Sequence, residues 1–254
     1  MATLPAAMAE LTVATFNIHW GMDRRGRPYD LLAACRRLDA DVLILQEVWR
    51  PDGTPGQVAE LGRTLGYAVR ELFLNRGVAD PLPRVTCPRS PGAGGGRGAG
   101  GGRGAGDWGL TLLSRLPVLA EERIDLGQLP FDPARRGALR LDVGASGRRV
   151  AVIGTHLSHL THGSLIQLGR LRRALPAATQ PGLLGGDMNM WGPVVSAFLP
   201  GWRRSTRGRT WPAPHPHSQI DHLLVTGAID VVGGEVLPPL GSDHRALRAT
   251  LRLR

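Results

Sequence analysis

The chain has 254 residues, 42% of them apolar, which is enough for one large domain with a substantial core. Two cysteines, Cys35 and Cys87, exclude a disulfide scaffold or a cysteine-rich zinc site, and no apolar run approaches the ~18 residues of a membrane span. The net charge of +10 comes from 31 basic residues, all arginine, and is uneven: residues 128–254 hold 16 arginines against seven acids.

A basic half suits an anionic, phosphate-bearing ligand, and equally a solvated surface. With 35 glycines, 20 prolines and no lysine, the composition also matches a coding bias toward GC-rich codons, which discounts raw basicity. The opening MATLPAAMAE lacks a basic region followed by a long apolar run, so no export signal is evident and a cytoplasmic monomer is expected.

In chain order, residues 11–18 read as a buried strand ending at Asn17. A helix over 30–39 follows, with Leu31, Leu32, Ala34, Cys35 and Leu38 at helical spacing behind Asp30 as N-cap. Residues 41–48 are too apolar for a one-faced strand, so this strand is buried on both faces and delivers Glu47 at its end. A second helix over 55–66 starts at Pro55 and stops at Gly66, and 67–73 is a strand. Segment 92–106 holds ten glycines and nothing that forms a core. It reads as a flexible surface insertion, about 87–107, within a single domain. Neither glycine motif for nucleotides fits: one needs a lysine, the other a strand before and a helix after.

Order is expected again at 108–114 and 118–125. Residues 136–143 and 149–157 form a hairpin pair, and a helix over 163–175 turns Leu165, Leu168, Leu171 and Leu175 inward. Strand 182–187, a short helix near 193–199, an Arg- and Pro-rich loop over 201–218 and strands at 220–226, 229–236 and 245–253 complete the chain. Mostly strands with interspersed helices imply a layered α/β domain with a mixed or antiparallel sheet.

The stretch 181–189 organises the functional reading. A buried strand ends at a Gly-Gly pair, and Asp187 and Asn189 then follow two residues apart, on one side of an extended segment. Alone this is what turns are made of. Asn17, Glu47, His156, Asp221, Asp243 and His244 likewise terminate apolar strands, where a rigid core presents side chains to a cleft. So many acids gathered together need a cation or a proton, and an oxygen-rich, thiol-free set favours Mg²⁺ or Mn²⁺.

The ordered blocks Thr15-Phe16-Asn17, Leu45-Gln46-Glu47-Val48, Gly154-Thr155-His156-Leu157, Gly186-Asp187-Met188-Asn189, Gln219-Ile220-Asp221-His222 and Gly241-Ser242-Asp243-His244 resemble the endonuclease/exonuclease/phosphatase superfamily from about 11 to 253. The resemblance implies a four-layer αββα sandwich of two mixed, mainly antiparallel sheets, and metal-dependent phosphoester hydrolysis. It makes Glu47 the principal metal ligand, with Asn17 contacting metal or phosphate, and Asp243 helping directly or through water. Asp187 would orient or deprotonate the attacking water and Asn189 would fix it against the phosphate. Asp221 would set the tautomer of His244, which stabilises the pentavalent phosphorus. His156 would be general acid, and Arg136 a phosphate contact.

His19, His159 and His162 are further cleft candidates, with ordinary solvation as the alternative, and His222 should face away and pack. Trp191 and Trp211 read as rim or core packing before base stacking. His215 and His217 alone make a poor zinc pair. The expected activity is phosphodiester hydrolysis, with nucleic acid as a candidate substrate because of the arginines at 203–209. Phosphomonoesterase or phospholipid and sphingomyelin phosphodiesterase activity on the same fold, or non-catalytic binding of an anionic ligand, are the alternatives.

Overall fold

The computed structural model describes residues 10–79, 83–85 and 104–254. Two mixed sheets lie face to face. The first has seven strands in the order β12-β13-β1-β2-β5-β3-β4: β1 is Glu10–Asn17, β2 Val42–Pro51, β3 Ala68–Ala79, β4 Pro83–Val85, β5 Gly104–Ser114, β12 Ile229–Val236 and β13 Leu247–Leu253. The second has six in the order β10-β11-β9-β8-β7-β6, with β6 Val118–Gly127, β7 Arg136–Ala145, β8 Arg148–His156, β9 Gly182–Asp187, β10 Trp202–Arg204 and β11 Asp221–Thr226. Each sheet has one parallel pair, β1 with β2 and β8 with β9, and the other pairings are antiparallel.

Each parallel pair needs a crossover, and a helix supplies it. Helix α1 (Leu31–Leu38) joins β1 to β2 and α3 (Thr161–Arg172) joins β8 to β9. The Asp30 carboxylate accepts the Ala33 N–H at 2.8 Å, the N-cap the sequence predicts. Helix α2 (Gly56–Leu65) ends at Gly66 in the left-handed region, and α4 (Gly192–Phe198) follows β9.

Strand alternation sorts the apolar residues into three layers. Val13, Ile44, Leu112, Leu141, Val152, Leu183, Leu223 and Leu251 fill the space between the sheets. Leu43, Leu45 and Phe16 turn outward onto α1 and α2, while Ile153, Leu184 and Leu224 turn outward onto α3 and α4. The result is the four-layer αββα sandwich. Each fully buried leucine contributes ~1.5–3 kcal/mol of transfer free energy.

Five boundaries differ from expectation. Strand β3 runs on to Ala79, past the expected end at 73. Residues 104–107 belong to β5, paired with both β2 and β3, while the glycine tract's residues 92–103 lie outside the described residues. Strand β2 runs on to Pro51, so Glu47 lies within it, not at its end. Helix α3 starts earlier and ends at Arg172, leaving Leu175 in the turn beyond. The loop 201–218 contains β10, whose hydrogen bonds to β11 the Arg-rich composition hides.

Candidate active site

The polar residues converge at one mouth of the inter-sheet layer. Along β9, Leu183 faces the other sheet, and by alternation so does Asp187; Leu223 fixes Asp221 and Val152 fixes His156 in the same way. The register places these three on one rung, His156 opposite Asp187 and Asp187 opposite Asp221. On the facing sheet Val13 and Thr15 lead to Asn17. Beneath it a buried Gln46 donates to the Thr15 hydroxyl at 3.0 Å, closing the apolar core with a polar layer.

Glu47 reaches this mouth by an exception to alternation. Leu43 and Leu45 face the helices, and an unbroken strand would send Glu47 after them. A bulge between Gln46 and Val48 and a left-handed backbone (φ 55°) at Glu47 turn its carboxylate into the cleft instead. Gly186 is the corresponding device on β9: its φ of 143° is open to glycine, and a Cβ there would strike the Thr155 carbonyl oxygen of the neighbouring strand.

The cleft, about 540 Å³, is lined by Glu47, Arg136, His156, Asp187, Asn189 and His244, with walls of Trp108, His159, Trp191, Trp211, Ser218 and Ile220. Glu47 and His244, far apart in the chain, face one space. Asn17 Nδ2 donates to Glu47 Oε1 at 3.3 Å and to Asp187 Oδ2 at 3.1 Å. His244 Nδ1 lies 3.0 Å from Asp221 Oδ2, and its Nε2 is 3.8 Å from Asp187 Oδ2. The His156 Nε2 is 3.6 Å from that same Asp187 oxygen. Asp187 Oδ1 accepts the Asn189 N–H at 2.9 Å, and the Asn189 carboxamide donates to the Leu157 carbonyl at 3.0 Å, from a backbone also in the left-handed region.

Electrostatics differentiates these groups. Burial, with the Asp221 carboxylate beside it, pushes Asp187 up to about 7. Burial pulls the His244 imidazole down, but Asp221, then Asp187 and Asp243, outweigh it and hold His244 at about 10, a cation at neutral pH. Burial, with Arg136 and His244 nearby, drives His156 well below its ordinary range, so it rests neutral. Burial likewise raises Glu47, against the pull of His244, His19 and Asn17.

Asp187, Asp221 and His244 bring ligand-type atoms within 4.8 Å of one another. That trio is satisfied internally by a cationic imidazole, which is no metal ligand. Glu47 fits a cation better: its Oε2 is buried at the cleft without a hydrogen-bond partner, beside the Asn17 carboxamide. Arg136 is also buried and leaves one guanidinium nitrogen unpartnered, with its Nε 3.4 Å from Asp132 and its plane 5.3 Å from the Trp108 ring.

The remaining candidates separate. Asp243 does not line this cleft; it stands 3.8 Å from His19 and opens onto an adjoining pocket with Arg24, Arg25 and His215. His222 faces away and its Nε2 lies 2.8 Å from the Met190 carbonyl. His217 contacts the Ser218 hydroxyl at 2.8 Å and the edge of Trp211. His159, Trp191 and Trp211 do line the cleft, and His162 does not. Two contributors carry no sequence signal of their own. Ser242 donates to the Asn17 carbonyl at 2.7 Å and accepts the His244 N–H at 3.2 Å, coupling two distant blocks. Trp108 packs on His156 with ring centroids 5.5 Å apart.

A sandwich of this layering, with carboxylates, imidazoles and one buried arginine at a single mouth, is the architecture of a known family of phosphoesterases and nucleases. The chain belongs to the Endonuclease/Exonuclease/phosphatase family, whose model matches residues 14–244. Among solved structures it resembles an endonuclease/exonuclease/phosphatase from Beutenbergia cavernae, with 25% identity over 96% of this chain and 72% of that one and a TM-score of 0.74. The human Nocturnin catalytic domain with bound sulfate shares the fold at 18% identity, 96% and 95% coverage and a TM-score of 0.64. Danio rerio TDP2 complexed with a single-strand DNA product shares it at 18% identity, 96% and 99% coverage and a TM-score of 0.63. No curated protein sequence matches the chain.

Proposed function

We propose that this protein hydrolyses phosphodiester bonds with the help of a divalent cation, Mg²⁺ or Mn²⁺, held by Glu47 and Asn17. The observation that carries the reading is the meeting of an unpartnered Glu47 oxygen, a near-neutral Asp187 and an Asp221-supported His244 cation in one cleft. The cation, when bound, supplies charge neutralisation at the phosphate. Asp187 takes a proton from water while Asn189 holds that water; its oxygen bonds to phosphorus as the bond to the leaving oxygen breaks. The His244 cation and Arg136 stabilise the charge on the pentavalent state. His156 rests neutral, so the arriving phosphate's negative charge must raise its pKa before it can protonate the leaving oxygen.

A protein that only bound anions would gain nothing from acids in the phosphate site. The bound sulfate of the Nocturnin domain and the DNA product of TDP2 give the fold an anion-binding precedent. Hydrolysis of bis-p-nitrophenyl phosphate tests the reading. Turnover should require Mg²⁺ or Mn²⁺ and stop with EDTA; turnover indifferent to EDTA, or none with either ion, contradicts it.

A further inference from the structure

The walls of the cleft carry the reading further, to the substrate. Residues 191–200, Trp-Gly-Pro-Val-Val-Ser-Ala-Phe-Leu-Pro, contain no charged residue. Helix α4 lies within them, and one face is buried through Val195 and Leu199. A surface helix normally turns polar residues outward. The outer face here is apolar as well, with Trp191 68% and Phe198 40% exposed and Val194 between them. Beside it is a second pocket of about 400 Å³ lined by Leu165, Asn189, Met190, Trp191 and Val194. Asn189 and Trp191 line both this pocket and the catalytic cleft, so the two adjoin. Ile166, next to Leu165 on α3, is exposed as well, as is Phe131, on a loop whose Leu129 packs near Gly163 at the start of α3.

The acids near this rim are paired: Asp132, which follows Phe131, is buried against Arg136, and Asp125 of β6, which packs against α3, is held by Arg135. Arg172 and Arg173, about two turns along α3 from Leu165, are exposed. Two of the four arginines at 203–209 are otherwise engaged: Arg203 with the Ile229 carbonyl and Asp230, Arg204 with Gln219 at 3.2 Å. Among the described residues Arg136 is the only arginine lining the catalytic cleft, whose walls include three tryptophans. A nucleic-acid groove would place several arginines along the backbone track beside the aromatics that stack on bases. An apolar strip flanked by cations instead matches the boundary of an anionic bilayer.

Resting on the phosphodiesterase reading, we propose that the substrate is a membrane phospholipid. The outer face of α4 with Trp191 seats on the bilayer, the pocket beside Leu165 and Val194 takes an apolar chain, and the lipid phosphodiester enters the cleft. Hydrolysis adds water across the bond between phosphorus and one ester oxygen, releasing an alcohol and a phosphomonoester.

The experiment is co-sedimentation with vesicles of phosphatidylcholine and phosphatidylglycerol, with headgroup or phosphomonoester release followed in the same samples. The wild-type protein should sediment with the vesicles. Val194→Ser combined with Phe198→Ser should weaken that association about tenfold or more, as apolar side chains leave the lipid. Its thermal midpoint should stay near that of the wild type, and Leu119→Ser, an exposed apolar residue on β6, should change neither binding nor release. Failure of the wild type to bind vesicles, equal binding by the double variant, or cleavage of single-stranded oligonucleotides with vesicles ignored would each overturn the lipid assignment. Turnover of the soluble diester, run alongside, separates the two readings: if it proceeds while vesicles are ignored, only the lipid assignment falls. Vesicle binding without turnover of either substrate removes the catalytic reading and the lipid substrate with it.

Discussion

At Glu47 the backbone takes a conformation that a non-glycine residue adopts at a cost of about 1–3 kcal/mol, and a carboxylate oxygen is buried without a partner. A site of this kind trades stability for function. Glu47→Gln should therefore lower diester turnover by ~10²-fold or more. In EDTA the same variant should unfold about 2–4 °C higher than the wild type, the shift ~1 kcal/mol gives in a chain this size. Calorimetry and the diester assay read the two effects; an equal loss of stability and activity would assign Glu47 a structural role. Gly186→Ala tests the backbone instead. Its Cβ would meet the Thr155 carbonyl in a conformation closed to alanine, so it should destabilise the fold by ~3 kcal/mol or more and reduce soluble yield. The identities of Glu47, Asp187 and His244 were legible in the sequence because each ends or interrupts an apolar run. The bulge was not legible: period-2 reading of 41–48 directs Glu47 toward the helices, and only pairing with β5 reveals the extra residue.

The strands hold the site through register, and the parallel pairs decide where it opens. Strand β9 is six residues long, buried throughout, and its last residue stands between His156 and Asp221. Its boundaries were readable because Gly182 and Asp187 bracket a short apolar run. The three-residue β10 was not readable, since its edge pairing with β11 is a long-range fact that Trp-Arg-Arg does not encode locally. The next residue of β11 gives this element a pH signature. His222 is buried against the Met190 carbonyl, and burial lowers it to about 4 from 6.5. The unfolded chain takes up this proton near 6.5 and the fold only near 4, so the stability this neutral ring contributes is complete above 6.5. It drains as pH falls to about 4, by roughly 3 kcal/mol in all. His222→Gln should flatten the acid limb of the stability curve between these values in urea titrations. An unchanged slope would show that another group governs it; buried neutral His156 acts in the same direction.

For the whole molecule, the two sheets enclose one apolar layer that ends at a polar mouth, and everything proposed about chemistry follows from that termination. The layering was legible from the count and apolarity of the strands, and the family from six ordered blocks. The flanks were not: Trp191 and Trp211 read as packing residues, and the outward apolar face of α4 emerges only when Val195 and Leu199 are seen to occupy the other side. Charge is mixed in the mouth, where the Glu47 and Asp187 carboxylates meet the His244 and Arg136 cations, and Arg172 and Arg173 stand exposed outside it. The central claim is that the cation belongs to Glu47, while Asp187, Asp221 and His244 form a proton-handling set. Calorimetric titration of the EDTA-stripped protein with Mn²⁺ tests this most directly, using wild type, Glu47→Gln and Asp221→Asn. The account predicts one site per chain that Glu47→Gln abolishes and Asp221→Asn retains. Binding that survives Glu47→Gln but disappears with Asp221→Asn would contradict it.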